Sequence, residues 1–274
     1  MKTKQAFLFV LLVFLIAATP YIDVFGASMD EDLSILSLKA TPPDLTVAYG
    51  SEPDQVADIR YGRHGDALPL LVLIHGGFWK PEYDRAHLDA MSAALAAAGW
   101  TVLTLEYRRI SGKPDVTLQD VANALQTLPN KVEHHNGKIV LIGHSAGGQL
   151  VLWAAAKCTW PALQGVVALA PVADLRFADK LRLGGGAVRS FLGADPQERP
   201  DVDPMQLPAP AVAVTIVQGN DDEEVPASVA TAYHAIFPNT RLLNLPDTGH
   251  YALIDPRSSA WQTVLDAIRK LPPS

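Results

Sequence analysis

The chain has 274 residues, a hydrophobic share of 49% and a formal net charge of −7 at pH 7. An acidic chain without a cluster of Lys or Arg is a poor partner for nucleic acid or an anionic membrane surface. Its one cysteine, Cys158, excludes an intrachain disulfide framework, which a domain of this size does not need.

Lys2 and Lys4 precede an unbroken apolar run from Ala6 to Ala18, the layout of a secretory signal peptide and short for a membrane span. Residues 1–26 are therefore expected to be a signal, with cleavage after Gly26 or, alternatively, after Ala18. An uncleaved signal anchor is the rival reading. Removing Lys2, Lys4 and Asp23 (two positive charges and one negative) takes the net charge from −7 to −8. Residues 27–274 then form one domain, expected to be secreted or periplasmic, or membrane-anchored if the signal is retained. A cleaved signal leaves no stable membrane association.

Apolar, β-rich runs alternate with helical runs from Leu45 onward. Leu45 to Ala48 and Gln55 to Tyr61 read as an antiparallel hairpin through Gly50-Ser51-Glu52-Pro53. Leu70 to Ile74 reads as a buried strand, Arg85 to Ala98 as a helix closed by Gly99, and Thr101 to Glu106 as a strand. Leu118 to Val132 reads as a helix, Ile139 to Ile142 as a strand and Gln149 to Lys157 as the helix after it. Cys158, at that helix end, reads as a packing residue.

Leu163 to Leu169 and Ala211 to Val217 are two further strands. Between them lie Gly184-Gly185-Gly186, a short helical stretch from Val188 to Leu192 and a proline-dense run from Pro196 to Pro210, expected as a small excursion beside the active site. Pro226 to Phe237 reads as a helix, Arg241 to Leu245 as the last strand and Ser259 to Leu271 as the closing helix. The alternation predicts an α/β fold: a mostly parallel central sheet of about eight strands flanked by helices on both faces. Functional loops then belong at the carboxyl ends of the strands.

Four such loops carry chemistry. Gly143-His144-Ser145-Ala146-Gly147-Gly148 joins a strand to a helix, and a serine at the tip of so sharp a turn needs almost no side chain two residues either side. Those positions are Gly143 and Gly147, so Ser145 is the candidate nucleophile. His75-Gly76-Gly77-Phe78-Trp79 follows another strand, and paired glycines let backbone N–H groups reach a developing oxyanion. The oxyanion hole is assigned to the Gly76-Gly77 turn, with the N–H of Gly77, and that of Phe78 as an additional candidate, acting together with that of Ala146. Phe78 and Trp79 could instead line an apolar wall for substrate or simply pack in the core.

Gln218 to Pro226 supplies carboxylates where an acid must orient a histidine. Asp222 is the candidate, with Asp221 its alternative; Asp221, Glu223 and Glu224 otherwise read as a solvated loop capping the next helix. His250, in Asp247-Thr248-Gly249-His250-Tyr251, is the candidate general base. Of the other histidines, His144 is held by the elbow pointing away from Ser145, and His75 reads as structural. His134 and His135 read as a solvated helix end, with no ligand spacing for a metal around them. The order Ser145, Asp222, His250 is the nucleophile, acid, base order of one hydrolase architecture.

With these motifs in place the chain resembles the α/β-hydrolases of the esterase, lipase and kynurenine formamidase group, over about Leu45 to Leu271. HGGFW at 75–79, GHSAGG at 143–148, GNDDEEVP at 219–226 and GHY at 249–251 carry the resemblance. It implies Gly76 and Gly77 in the oxyanion loop and Ser145, Asp222 and His250 as the triad, the aspartate lying three residues after the glycine and four before the proline. The two aromatics after HGG, Tyr107-Arg108-Arg109 and the run from His250 to Pro256 also look like kynurenine formamidases and their bacterial relatives.

No large cap domain is expected. The implied activity is hydrolysis of a small carboxylic ester through an acyl-enzyme, without metal or organic cofactor. Formamide hydrolysis of N-formylkynurenine-like substrates is the alternative, and acyl transfer to an alcohol uses the same intermediate. A secreted binding protein that lost catalysis is the remaining rival.

Overall fold

In the computed structural model, residues 33–158 and 160–272 are described, and the signal segment predicted over 1–26 lies outside them. They belong to one compact unit, Glu31–Ser274. Eight strands form a single sheet: β1 (Leu45–Ala48), β2 (Val56–Arg60), β3 (Leu70–Ile74), β4 (Val102–Leu105), β5 (Ile139–His144), β6 (Leu163–Leu169), β7 (Ala213–Gly219) and β8 (Arg241–Leu245). Their spatial order is β1-β2-β4-β3-β5-β6-β7-β8. β2 pairs antiparallel with both β1 and β4, and every other pairing is parallel. The sheet is thus the mostly parallel, eight-stranded one that the alternation of runs predicts.

The central strands read as unbroken apolar runs because both faces are covered. In β3 all five residues are buried, and alternate side chains enter opposite layers. Leu70, Val72 and Ile74 join one core with Leu118 and Val121 of α2 (Pro114–Thr127), Leu150 of α3 (Ala146–Lys157) and Val229 of α6 (Ala227–Ile236). Leu71 and Leu73 join the other with Met91 and Leu95 of α1 (Asp89–Ala97) and Val264 and Ile268 of α7 (Trp261–Arg269). Among the described residues no helix is long and apolar enough to cross a membrane.

Three boundaries differ from the sequence reading for local reasons. The helix predicted from Arg85 begins as a 3₁₀ turn, Arg85–Leu88, whose first amides are capped by Asp84 accepting from Ala86 N at 2.9 Å. The helix predicted over Leu118 to Val132 runs instead from Pro114 to Thr127. Proline is suited to a first helical position, and Pro129 cannot continue the helix because it lacks an amide hydrogen. His134 and His135 therefore lie in the loop beyond, with His135 against the Pro129 carbonyl at 3.1 Å.

The excursion between β6 and β7 contains α4 (Leu175–Lys180), absent from the sequence reading, and α5 (Leu183–Leu192). Asp174 caps α4 by accepting from Phe177 N at 2.9 Å. The opening turn of α5 is not α-helical: Arg182, Gly184, Gly185 and Gly186 all have positive φ, a left-handed turn that three consecutive glycines permit. The excursion is too small to be a cap domain, and it lies beside the loops that leave β3 and β4.

Candidate active site

β5 ends in the turn that carries Ser145, held at φ 57° and ψ −118° between β5 and α3. Its neighbours show why that turn needs glycine. A Cβ on Gly143 would sit 2.1 Å from the Gly147 carbonyl oxygen, and one on Gly147 would sit 2.0 Å from the Ile74 oxygen. The elbow is thereby pressed against the end of β3, where the HGG loop begins. A Cβ on Gly76 would lie 2.9 Å from Ser145 Cβ, so Gly76 serves the close approach of that loop to the serine.

Gly77, Phe78 and Trp79 have φ of 101°, 51° and 56°, three successive residues in the left-handed region. Lys80 N donates to the Gly77 carbonyl at 2.9 Å and closes the turn. Among the described residues neither the Gly77 nor the Phe78 amide is bonded to a backbone carbonyl. Ala146 opens α3, so its amide is one of those at a helix start that no intrahelical carbonyl reaches. Phe78 is half-buried, with Gly184 against its ring. Trp79 is only 4% exposed, stacked on Phe191 at 4.5 Å with its indole N–H donating to Gln149 Oε1 at 3.2 Å. It takes the core-packing alternative and holds the loop from beneath.

Asp222 and His250 leave the ends of β7 and β8. The imidazole Nδ1–H donates to Asp222 Oδ2 at 2.8 Å, and both side chains are buried. The same carboxylate accepts from Gln218 Nε2 at 3.1 Å, Glu224 N at 3.0 Å and Val225 N at 2.7 Å. Asp221 is exposed, and its amide only donates to the Thr248 carbonyl. Of the two candidate acids, Asp222 is the one that meets the imidazole. With Nδ1 donating, His250 Nε2 carries the lone pair a general base requires.

A second buried cluster supports the HGG loop and was not legible from the motifs. His75 Nε2 donates to Glu106 Oε1 at 3.0 Å, Tyr107 hydroxyl donates to the His75 carbonyl at 2.8 Å, and the His75 and Tyr107 rings stack at 4.3 Å. Arg109 donates to Glu106 and to the Tyr107 carbonyl, and Arg85 N donates to Glu106 Oε2 at 2.9 Å. Burial works to raise the Glu106 carboxyl, but the His75 hydrogen bond and the Arg109 guanidinium outweigh it and hold it at about 2. The one available signal was a carboxylate closing an apolar strand directly before Tyr107-Arg108-Arg109.

His144 meets His87 at 2.9 Å and the carbonyl of His250 at 3.2 Å. Burial raises the Cys158 thiol above its ordinary value, in keeping with a packing residue. Among the described residues no group of three or more His, Cys, Asp or Glu side chains is arranged to hold a metal ion.

The BD-FAE family model matches residues 58–236, which span β2 through α6. A comparison with curated proteins finds no match. Among solved structures, the chain is similar to esterase B from Lactobacillus rhamnosis, with 17% identity, 87% of this chain and 89% of that one covered and a TM-score of 0.69. That esterase is also known inhibited by a tributyrin phosphonate.

A truncated carbohydrate esterase from gut microbiota aligns at 18% identity over 84% of this chain and all of that one, with a TM-score of 0.66. Thermogutta terrifontis esterase 2 aligns at 18% identity, with 84% and 92% coverage and a TM-score of 0.63, and is also known phosphoramylated by tabun. At these identities the likeness is one of fold, and the fold is the α/β-hydrolase one.

Proposed function

The chain belongs to the BD-FAE family, and from that premise we propose that it is a serine hydrolase of small carboxylic esters, working through an acyl-enzyme. The observation that carries this reading is the buried Nδ1 to Oδ2 hydrogen bond of 2.8 Å between His250 and Asp222, at the same sheet edge as a serine held at φ 57°. The esterases that share the fold, two of them with phosphorus-based inhibitors, support the ester over the formamide. Hydrolysis of N-formylkynurenine would use the same residues, and its support is confined to the sequence resemblance, with none from the structures compared.

In this reading His250 Nε2 takes the Ser145 proton as Oγ attacks the ester carbonyl. Asp222 holds the imidazole in the required tautomer and stabilises the imidazolium that forms. The amides of Gly77 and Ala146, with that of Phe78 beside them, face the oxyanion, whose charge needs donors that are already in place. His250 then returns the proton to the departing alcohol, and the acyl group stays on Ser145. A water deprotonated by the same imidazole attacks the acyl-enzyme, and collapse releases the acid and restores Ser145. Phe78 is the half-buried aromatic offered to substrate, whereas Trp79 acts only through the loop it supports.

Turnover of p-nitrophenyl acetate set against N-formylkynurenine tests the substrate class. Faster ester turnover is expected, and a kcat/KM higher for the formamide would reverse the assignment. The basic, apolar start of the chain further supports export to the periplasm or medium. N-terminal sequencing of the mature protein tests that, with a start at Ala27 expected and an intact Met1 contrary to it.

A further inference from the structure

Two histidines are left without a part in this chemistry, yet they adjoin the base. His144 is fully buried, its ring 4.4 Å from that of His250. Its Nε2 lies 3.2 Å from the His250 main-chain carbonyl. A carbonyl only accepts, so Nε2 carries the proton and Nδ1 a lone pair. That lone pair is met at 2.9 Å by Nε2 of His87, which must then be the protonated nitrogen of its own ring. His87 Nδ1 is left as a buried lone pair with no donor among the described residues. Hydrogen-bond polarity therefore runs one way, from His87 through His144 to His250.

We propose that His87 and His144 form a positioning dyad for the general base: two neutral imidazoles whose one-way hydrogen bonds pin the His250 main-chain carbonyl and keep positive charge away from its ring. The proposal rests on the assignment of His250 as base.

Two histidines do what one cannot. His144 alone could place its proton on either nitrogen, and only the Nε2–H form reaches the carbonyl; donation from His87 to Nδ1 selects that form. Neutrality follows from the same geometry. A second proton on His144 would make His87 accept through Nε2 and move its own proton to Nδ1, a buried atom with no partner among the described residues, and a second proton on His87 would leave the same N–H unpaired. The titratable groups facing the pair are His75 at the end of β3, Tyr83 before the 3₁₀ turn, and His250 and Tyr251 after β8. None of them is a carboxylate, and among the described residues neither ring hydrogen-bonds one. Burial, with His75 and His250 adding to it, pushes His87 down to about 3, and burial holds His144 well below the ordinary histidine value. When His250 becomes an imidazolium in the transition state, it does so beside rings that carry no charge.

The first arm compares His87→Leu, which removes the donor, with His87→Gln, whose amide N–H replaces it at similar reach. The Leu variant should lose roughly tenfold in kcat with KM within about twofold, and the Gln variant should recover most of that loss. Equal kcat in the two variants overturns the dyad.

The second arm uses the unaltered protein with 15N-labelled histidine, so it is independent of whether either variant folds. His87 and His144 should each show a neutral Nε2–H ring from about pH 5.5 to 8. An Nδ1–H tautomer or a doubly protonated ring at either position overturns the proposal. An unaltered protein that turns over no ester, yet shows both tautomers as stated, would sink the assignment of His250 as base and leave the hydrogen-bond chain standing.

Discussion

Asp222 meets His250 Nδ1 with one carboxylate oxygen and two backbone amides with the other, so an amide in its place presents a donor where an acceptor is required. Asp222→Asn should therefore keep the fold and lower kcat by about 10³-fold or more, because the imidazole turns to the wrong tautomer. Steady-state turnover beside a circular dichroism spectrum checks it, and a loss of less than about tenfold would contradict the role.

Ser145, Asp222 and His250 were legible because each sits in a short motif fixed by the geometry of a strand end. His87 was not, since its partner lies 57 residues away and its own surroundings read as an ordinary amphipathic helix. Glu106 and Arg109 escaped for the same reason: their meaning lies in His75, in the loop after β3 and far from them in sequence.

Elements were legible in proportion to how far local chemistry decides them. β3 was read to its exact ends because a strand buried on both faces is an apolar run, bounded here by Pro69 and His75. Both ends of α2 were missed although Pro114 and Pro129 mark them, and α4 was missed because six residues carry no usable periodicity. α3 gives a sharp test of what positions the elbow. Alanine in place of a helical glycine usually stabilises by about 1 kcal/mol. Gly147→Ala should do the reverse by about 3 kcal/mol or more, since its Cβ would fall 2.0 Å from the Ile74 oxygen. Urea unfolding measures the sign.

The excursion offers another test at Asp203, which is buried with Oδ1 accepting from Leu175 N and Met205 N, while Oδ2 has no partner among the described residues. Burial raises its carboxyl to about 6, above the ordinary value. The folded chain thus holds this proton more tightly than the unfolded one, a contribution that is complete at low pH and lost as the pH rises through about 6. Asp203→Asn should raise Tm by about 5 °C near pH 8 and by almost nothing near pH 4. A difference that does not change with pH would contradict the buried charge.

At the scale of the whole molecule, one mostly parallel sheet covered on both faces brings the ends of β3, β5, β7 and β8 to a common edge, and with them the HGG loop, the serine, the acid and the base. The sequence revealed that edge because strand runs and helical runs alternate along nearly the whole chain. It could not reveal how the excursion between β6 and β7 would lie, since Phe78 against Gly184 and Trp79 on Phe191 are contacts between distant segments.

A nucleophilic Ser145 activated at this edge should react with a fluorophosphonate, and intact-mass and peptide analysis after that treatment reads the outcome. The folded protein should gain one adduct, mapping to Ser145, and lose its turnover of p-nitrophenyl acetate. Ser145→Ala should fold alike, take no adduct and retain less than about one part in 10³ of the activity. An unlabelled folded protein, an adduct on another residue, or undiminished turnover by Ser145→Ala would contradict it.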